Sequence, residues 1–177
     1  MRPAACQPAC LLSALPLTDT ALRKSFAACS AEPGQLYLTT AWSSIPHPEK
    51  VATGGEDALF AASYAVGIAD GVGGWASQGI DAGEISRAVM SAADALATAS
   101  PREHTALELL RNAWTRVAAQ PIKGSTTAVL AALRGSVLST ANLGDSGFVI
   151  YRDGHALHRS VKYTKRSPPQ LVSQGCC

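Results

Sequence analysis

The chain has 177 residues, of which 47% are hydrophobic and 16% are charged. This balance excludes an intrinsically disordered chain and predicts a single domain with a sizeable core. The formal charge of +2 gives no electrostatic case for nucleic acid or a membrane surface as a partner. No uncharged apolar run approaches the roughly 18 residues that cross a bilayer, so we expect no membrane span. The five cysteines lie near the chain ends, which predicts a fold without disulfides.

The first 34 residues differ in composition from the rest. Arg2, Arg23 and Lys24 are basic, and Asp19 is the only acid before Glu32. An acid-poor segment that contains Arg and Ser is typical of an organelle transit peptide. We therefore predict that residues 1–34 are either transit-like, with a plastid or mitochondrial destination, or simply disordered, in which case the protein is cytoplasmic.

Three strands are predicted next. Residues 36–42 are rich in β-branched and aromatic side chains, which favours a strand. A loop marked by Pro and Gly covers residues 46–55. The short apolar runs at residues 58–62 and 64–69 are each bounded by turn residues, which indicates two strands of a buried sheet.

Two helices follow. Asp81 is the predicted N-cap of the first helix, with Glu84 completing a capping box, and Pro101 stops it. Thr105 and Glu108 repeat the same signature for the second helix. The apolar positions expected to face the core are Ile85, Val89, Ala92, Ala93 and Leu96 in the first helix and Leu110, Trp114 and Val117 in the second.

The remaining pattern is β again. Strands are predicted at residues 126–133 and 137–143, joined by a two-residue turn, and at residues 147–151 and 155–158, joined by Asp153-Gly154. Residues 161–177 are expected to be an irregular tail. Strands, then two helices, then antiparallel hairpins indicate an α+β fold in residues 35–160, with two helices packed on an antiparallel sheet.

Acidic residues beside glycine fall at three ends of predicted strands. They lie at residues 54–57 (GGED), 69–75 (ADGVGGW) and 142–147 (NLGDSG). Carboxylates that converge at a sheet edge can hold hard cations such as Mg²⁺ or Mn²⁺. The alternative is that Asp and Gly serve only the geometry of turns.

Four motifs, taken in order, resemble one known family. They are GGED at residues 54–57, GIADGVGGW at 67–75, GSTTA at 124–128 and ANLGDSG at 141–147. Their types and spacing are similar to those of the metal-dependent protein phosphatases of type 2C, in particular the organelle-associated branch of plants and algae. The resemblance covers residues 36–160. It implies an α-β-β-α sandwich and the hydrolysis of phosphoserine or phosphothreonine in a phosphoprotein substrate.

The resemblance also implies roles for five residues. Glu56 would bind one Mg²⁺ or Mn²⁺, with Asp57 alongside as a contact to a metal-bound water. Asp70 would bridge two metals, the Gly71 carbonyl would be a further ligand, and Asp145 would serve an additional, weaker metal. Two cations would activate a shared water that attacks phosphorus, so that the complete site holds two Mg²⁺ or Mn²⁺ ions and needs no side-chain nucleophile.

The sequence departs from the family pattern in two places. The only acid after Asp145 is Asp153, in a predicted hairpin turn, so the C-terminal half of the family domain is expected to be missing. Many members place an Arg shortly before the Glu-Asp pair, where this chain has residues 51–53 (VAT), and no phosphate-binding residue is assigned. A half domain exposes apolar sheet surface, which predicts self-association.

The sequence leaves one alternative function open and disfavours two others. The chain is alternatively a truncated, non-catalytic phosphatase-like protein that binds one metal weakly or binds a protein partner. The GDSG at residues 144–147 resembles the nucleophile motif of trypsin-like proteases, with Ser146 as nucleophile, but Phe148 replaces the usual next glycine. A phosphate-binding loop of the G-x-x-x-x-G-K-[ST] type is absent from the sequence, which disfavours a nucleotide-binding enzyme.

Overall fold

A computed structural model describes residues 35–162, and they form a four-stranded antiparallel sheet, two helices and a separate two-stranded sheet. This confirms the α+β prediction. The predicted transit-like segment and nearly all of the predicted tail lie outside the described residues. The elements are β1 Asp57–Ala61, β2 Ala65–Asp70, α1 Ala82–Ala99, α2 Ala106–Ala118, β3 Ala128–Arg134, β4 Val137–Leu143, β5 Val149–Arg152 and β6 His155–Arg159, with 3-10 helices at Pro48–Thr53 and Gly73–Gln78.

The four-stranded sheet has the order β1-β2-β3-β4, and every neighbouring pair is antiparallel. Antiparallel order brings the starts of β1 and β3 and the ends of β2 and β4 to the same edge. The register shows this, because Asp57 lies opposite Asp70 and Ala128 lies opposite Leu143. All four sequence motifs therefore meet along one edge, which we call the motif edge.

The two helices begin with different caps. Thr105 and Glu108 form the predicted capping box of α2, with the Thr105 N–H donating to Glu108 at 2.8 Å. Asp81 is the N-cap of α1 as predicted, and its carboxylate accepts from the Gly83 N–H at 2.8 Å. The predicted capping box with Glu84 is not formed, and the Asp81 carboxylate is instead paired with Arg87, six residues further along α1, at 2.5 Å.

The core lies between the helices and one face of the four-stranded sheet. Leu130 from the sheet is fully buried, as are Met90 of α1 and Leu109 of α2, each at 1% exposure or less. Trp114, predicted to face this core, is 48% exposed. That prediction was wrong because the buried stripe of α2 runs through Leu109, Ala113 and Val117, and Trp114 lies at its margin.

The strand predicted at residues 36–42 is not present, and this prediction was wrong. The Leu38 N–H donates to the Ser63 carbonyl, but the segment forms no ladder with the described strands. Leu38 and Trp42 instead line a groove of about 390 Å³ together with Leu59 and Ile68, on the sheet face away from the helices. β-propensity alone does not make a strand where no neighbouring ladder is formed.

The predicted hairpin around Asp153-Gly154 is present as β5 and β6. Both turn residues have positive φ, 51° and 78°, as a two-residue turn of this type requires. Asp153 therefore serves the turn, as the sequence predicted.

Candidate metal centre

Asp57 and Asp70 are the two acids that the structure places directly opposite each other on neighbouring strands. Asp57 is the first residue of β1 and lies opposite Asp70, the last residue of β2. The Gly71 N–H donates to the Glu56 carbonyl at 3.1 Å, so residues 56 and 71 are a hydrogen-bonded pair of the antiparallel ladder. Because the two kinds of pair alternate, residues 57 and 70 are a non-hydrogen-bonded pair. Side chains of such non-hydrogen-bonded pairs are especially close.

Both carboxylates point away from the helices. Residues 60, 65 and 69 of the same strands are buried in the helix-covered core, and alternation along a strand sends their neighbours to the other face. There, Asp57 and Asp70 line a cleft of about 820 Å³ together with Ser146 and Arg87. Two of the five residues predicted for the metal site thus share one solvent-accessible cleft.

The carboxyl group of Asp70 is electrostatically perturbed. Its pKa is raised above the usual Asp value by burial first, then by the charge of Asp57, the charge of Asp145, a hydrogen bond with Asp57 and the charge of Glu56. The other three predicted acids therefore all act on Asp70. Burial and this repulsion disfavour the ionised form of Asp70 unless a cation is present.

Two threonines that sequence reasoning left without a role fix the backbone of Asp70. The Thr127 N–H donates to the Asp70 carbonyl at 2.9 Å, and the Thr126 hydroxyl donates to the same oxygen at 2.9 Å. The Thr127 hydroxyl accepts from the Asp70 N–H at 3.3 Å. The GSTTA motif carried the signal for these contacts, because hydroxyl side chains beside a strand readily bond to backbone groups.

The motif that contains Asp145 is joined to the same threonine. Gly144 has φ +89°, and a Cβ there would lie 2.8 Å from the Thr127 side chain, so only glycine allows this approach. The Ser146 hydroxyl lies 2.5 Å from the Thr127 hydroxyl. Ser146 is thus part of the support of Asp70, which does not favour the protease reading of this motif.

Glu56 is held differently from Asp57. Its carbonyl accepts from the Gly71 N–H and from the Ser86 hydroxyl, the latter at 2.5 Å. Alternation along the chain turns its side chain away from the face of Asp57 and Asp70, and its carboxylate forms an ion pair with Lys50. The adjacent Glu-Asp pair of the sequence therefore does not present two carboxylates to one point.

Gly71 is confined by the start of α1. A Cβ at this position would lie 2.2 Å from the Ala82 carbonyl oxygen, well inside van der Waals contact. The residue after Asp70 must therefore be glycine for β2 to meet the helix. The Gly71 N–H donates to the Glu56 carbonyl. The assignment of the Gly71 carbonyl as a metal ligand remains a prediction.

The donor chemistry of the motif edge suits a hard divalent cation. Asp57 and Asp70 supply carboxylate oxygens that face each other, and the charges of Glu56 and Asp145 reach Asp70; oxygen ligands of this kind are those that Mg²⁺ and Mn²⁺ prefer. Within residues 35–162, no group of three His, Cys, Asp or Glu side chains is placed to hold a metal ion. The arrangement thus offers two acids that face each other across the strands and two more whose charges reach Asp70.

An antiparallel sheet under two helices, with an acid-lined edge and an open cleft, defines the class of this protein as an α+β protein with a candidate cation site. A family model described as Protein phosphatase 2C matches residues 61–168, starting just after Asp57. The chain belongs to the protein phosphatase 2C family, as the motifs predicted.

Relatives and a solved structure agree with this assignment. The chain is 42% identical over 149 residues to Probable protein phosphatase 2C 55 of Arabidopsis thaliana, covering 81% of this chain and 31% of that protein. It is 41% identical over 129 residues to Protein phosphatase PTC7 homolog fig of Drosophila yakuba, covering 67% of this chain and 40% of that protein. The X-ray structure of the photosystem II phosphatase PBCP matches with 29% identity and a TM-score of 0.61, covering 75% of this chain and 57% of that one.

The chain spans about a third of the length of these curated relatives. Among the residues that the structure describes, no helix is long and apolar enough to cross a membrane.

Proposed function

We propose that this chain contributes the cation-binding edge of a serine/threonine protein phosphatase that hydrolyses phosphoserine and phosphothreonine in phosphoproteins. The observation that carries the proposal is that Asp57 and Asp70 lie directly opposite each other across β1 and β2 in an open cleft. Membership of the protein phosphatase 2C family supports the reaction class. The substrate proteins and the complete two-metal mechanism belong to this proposal.

The five proposed residues are those that the resemblance implied, but Asp57 is proposed here as a direct ligand rather than as a contact to a metal-bound water. Asp57 and Asp70 would hold Mg²⁺ or Mn²⁺ between them, with Glu56, Asp145 and the Gly71 carbonyl as further ligands. When bound, two such cations activate a water for attack on phosphorus and neutralise charge on the phosphoryl oxygens. Thr127 has a separate task, since its two hydrogen bonds keep the Asp70 backbone in place.

A second candidate function has its own support. Because no group of three potential ligands is assembled within the described residues, the chain is alternatively a non-catalytic phosphatase-like protein that binds one metal weakly or binds a protein partner. Both candidate functions use the metal-binding edge, but only the phosphatase would hydrolyse a phosphorylated substrate.

The test is Mn²⁺-dependent hydrolysis of a phosphothreonine peptide by the full chain. Asp70→Asn is the test variant, and Asp153→Asn is the matched control, because Asp153 lies in the β5–β6 turn where Asn is equally tolerated. Phosphatase function predicts turnover that Asp70→Asn abolishes and Asp153→Asn preserves. Mn²⁺ binding without turnover would support the non-catalytic candidate, and turnover unchanged by Asp70→Asn would overturn the assignment of Asp70.

The plastid or mitochondrial destination is also proposed, on the composition of the first 34 residues. Import of the full chain into isolated organelles, compared with a chain that lacks residues 1–34, would test it.

A further inference from the structure

One acid of the motif edge is already paired with a cation from the chain itself. The Lys50 ammonium group contacts the Glu56 carboxylate, whose side chain is only 17% exposed. Among the residues that the structure describes, Lys50 is the only Lys or Arg in an ion pair with any of the four acids of this edge. Asp57, Asp70 and Asp145 have no such partner in that part of the chain.

The backbone around Lys50 positions its side chain. Lys50 lies in the 3-10 helix Pro48–Thr53, where its N–H donates to the His47 carbonyl at 2.8 Å. Its own carbonyl accepts from the Gly55 N–H at 3.0 Å, directly before Glu56. The loop that supplies the ammonium group is therefore tied to the segment that supplies the carboxylate.

The ion pair lies against the loop that follows Asp70. A Cβ at Gly73 would lie 3.2 Å from the nearer Glu56 carboxylate oxygen and 3.4 Å from the Lys50 nitrogen. Both charged groups thus occupy the space beside Gly73, three residues after Asp70. A divalent cation that used Glu56 as a ligand would be close to this ammonium group.

We propose that Lys50 is an internal counter-cation of the metal site, which holds Glu56 while the site is without metal and competes with the metal for that carboxylate. The proposal rests on the proposed function, since it assumes that Glu56 is a ligand. An ammonium group offers charge but no coordination site, so it stabilises the acidic edge and must move away before Glu56 can bind a metal. Lys50 therefore raises the metal concentration at which the site fills.

This role predicts two effects of opposite sign when the ammonium group is removed. The metal-free protein loses an ion pair and becomes less stable, whereas the affinity for metal increases because a competitor is gone. A merely structural Lys50 would give a different result, since loosening the Glu56 segment would weaken both stability and metal binding.

The experiment is a calorimetric titration of the full chain with Mn²⁺. Lys50→Met keeps the aliphatic stem and removes the charge, and we expect it to bind Mn²⁺ about fivefold more tightly, which corresponds to a partly exposed ion pair of about 1 kcal/mol. Lys50→Arg retains the cation and should bind Mn²⁺ as the wild type does. Arg134→Met is the charge-matched control, because Arg134 ends β3 at the far side of the sheet, roughly 20 Å from the motif edge.

A double-mutant cycle assigns the effect to Glu56. In the Glu56→Gln background, Lys50→Met should give no gain in Mn²⁺ affinity, because the contested carboxylate is absent. Unchanged or weaker binding by Lys50→Met, with wild-type binding intact, would overturn this inference alone. Absence of Mn²⁺ binding by both the wild type and Lys50→Met would overturn the proposed function and this inference together.

Discussion

The helix-covered face of the sheet and its motif edge follow opposite physical rules. On the covered face, small and branched apolar side chains of β2 and β3 pack against α1 and α2 with almost no exposure, which stabilises the fold. At the motif edge, two carboxylates lie directly opposite each other, and their repulsion destabilises the fold. The motif edge is therefore not arranged for stability. A bound cation would make the arrangement favourable, because it would offset the repulsion between the two carboxylates.

Truncation of the core should have the largest effect on stability. Leu130 is fully buried in β3 between the helices and the sheet, and Leu130→Ala should lower the free energy of unfolding by about 2–5 kcal/mol because it leaves a cavity. Urea denaturation of the metal-free protein measures this loss. Leu157→Ala is the control, since Leu157 is 51% exposed on β6; an equal loss there would contradict the location of the core.

Gly71, which connects the motif edge to the helix-covered face, should show the next largest effect on the free energy of unfolding. Gly71→Ala should cost about 1–3 kcal/mol, because the new methyl group overlaps the Ala82 carbonyl and either β2 or α1 must shift. Gly74→Ala is the matched control, because nothing lies within 4 Å of a Cβ there, and it should change stability by less than about 0.5 kcal/mol. Thermal unfolding of both variants measures the contrast, and equal melting temperatures would show that Gly71 is not confined.

Relief of the repulsion at the motif edge should give a smaller effect of the opposite sign. Asp57→Asn removes one of the two facing charges and should stabilise the metal-free protein by about 0.2–1 kcal/mol. The matched Asp153→Asn change, in the distant turn, should give no such gain.

Burial of Asp70, together with the same repulsion, makes stability depend on pH. Because the pKa of Asp70 is raised in the folded protein, the folded state holds more protons than the unfolded state between the usual Asp pKa and the raised one. Stability of the metal-free wild type should therefore fall as pH rises through this window, and Asp57→Asn should flatten the fall. A rise in stability over that window would contradict a raised pKa of Asp70 in the folded protein.

The sequence predicted the parts that depend on local pattern. Alternating and apolar runs placed β1, β2 and β4 correctly, Thr105 and Glu108 placed the cap of α2, and acids at strand ends placed Asp57 and Asp70 at one edge. The partner of Glu56 was missed because it depends on how the loop before β1 folds, which no periodicity records. Trp114 and residues 36–42 were misassigned because apolar content was taken as burial or pairing, and those are decided by neighbours distant in sequence.

The most direct test of the motif edge is the binding of Mn²⁺ by the full chain, measured by calorimetry for the wild type, Asp70→Asn and Asp153→Asn. If Asp57 and Asp70 together hold a divalent cation, the wild type and Asp153→Asn bind with equal affinity, and Asp70→Asn binds at least tenfold more weakly. Equal binding by all three proteins, or binding by none of them, would contradict a cation site at this edge.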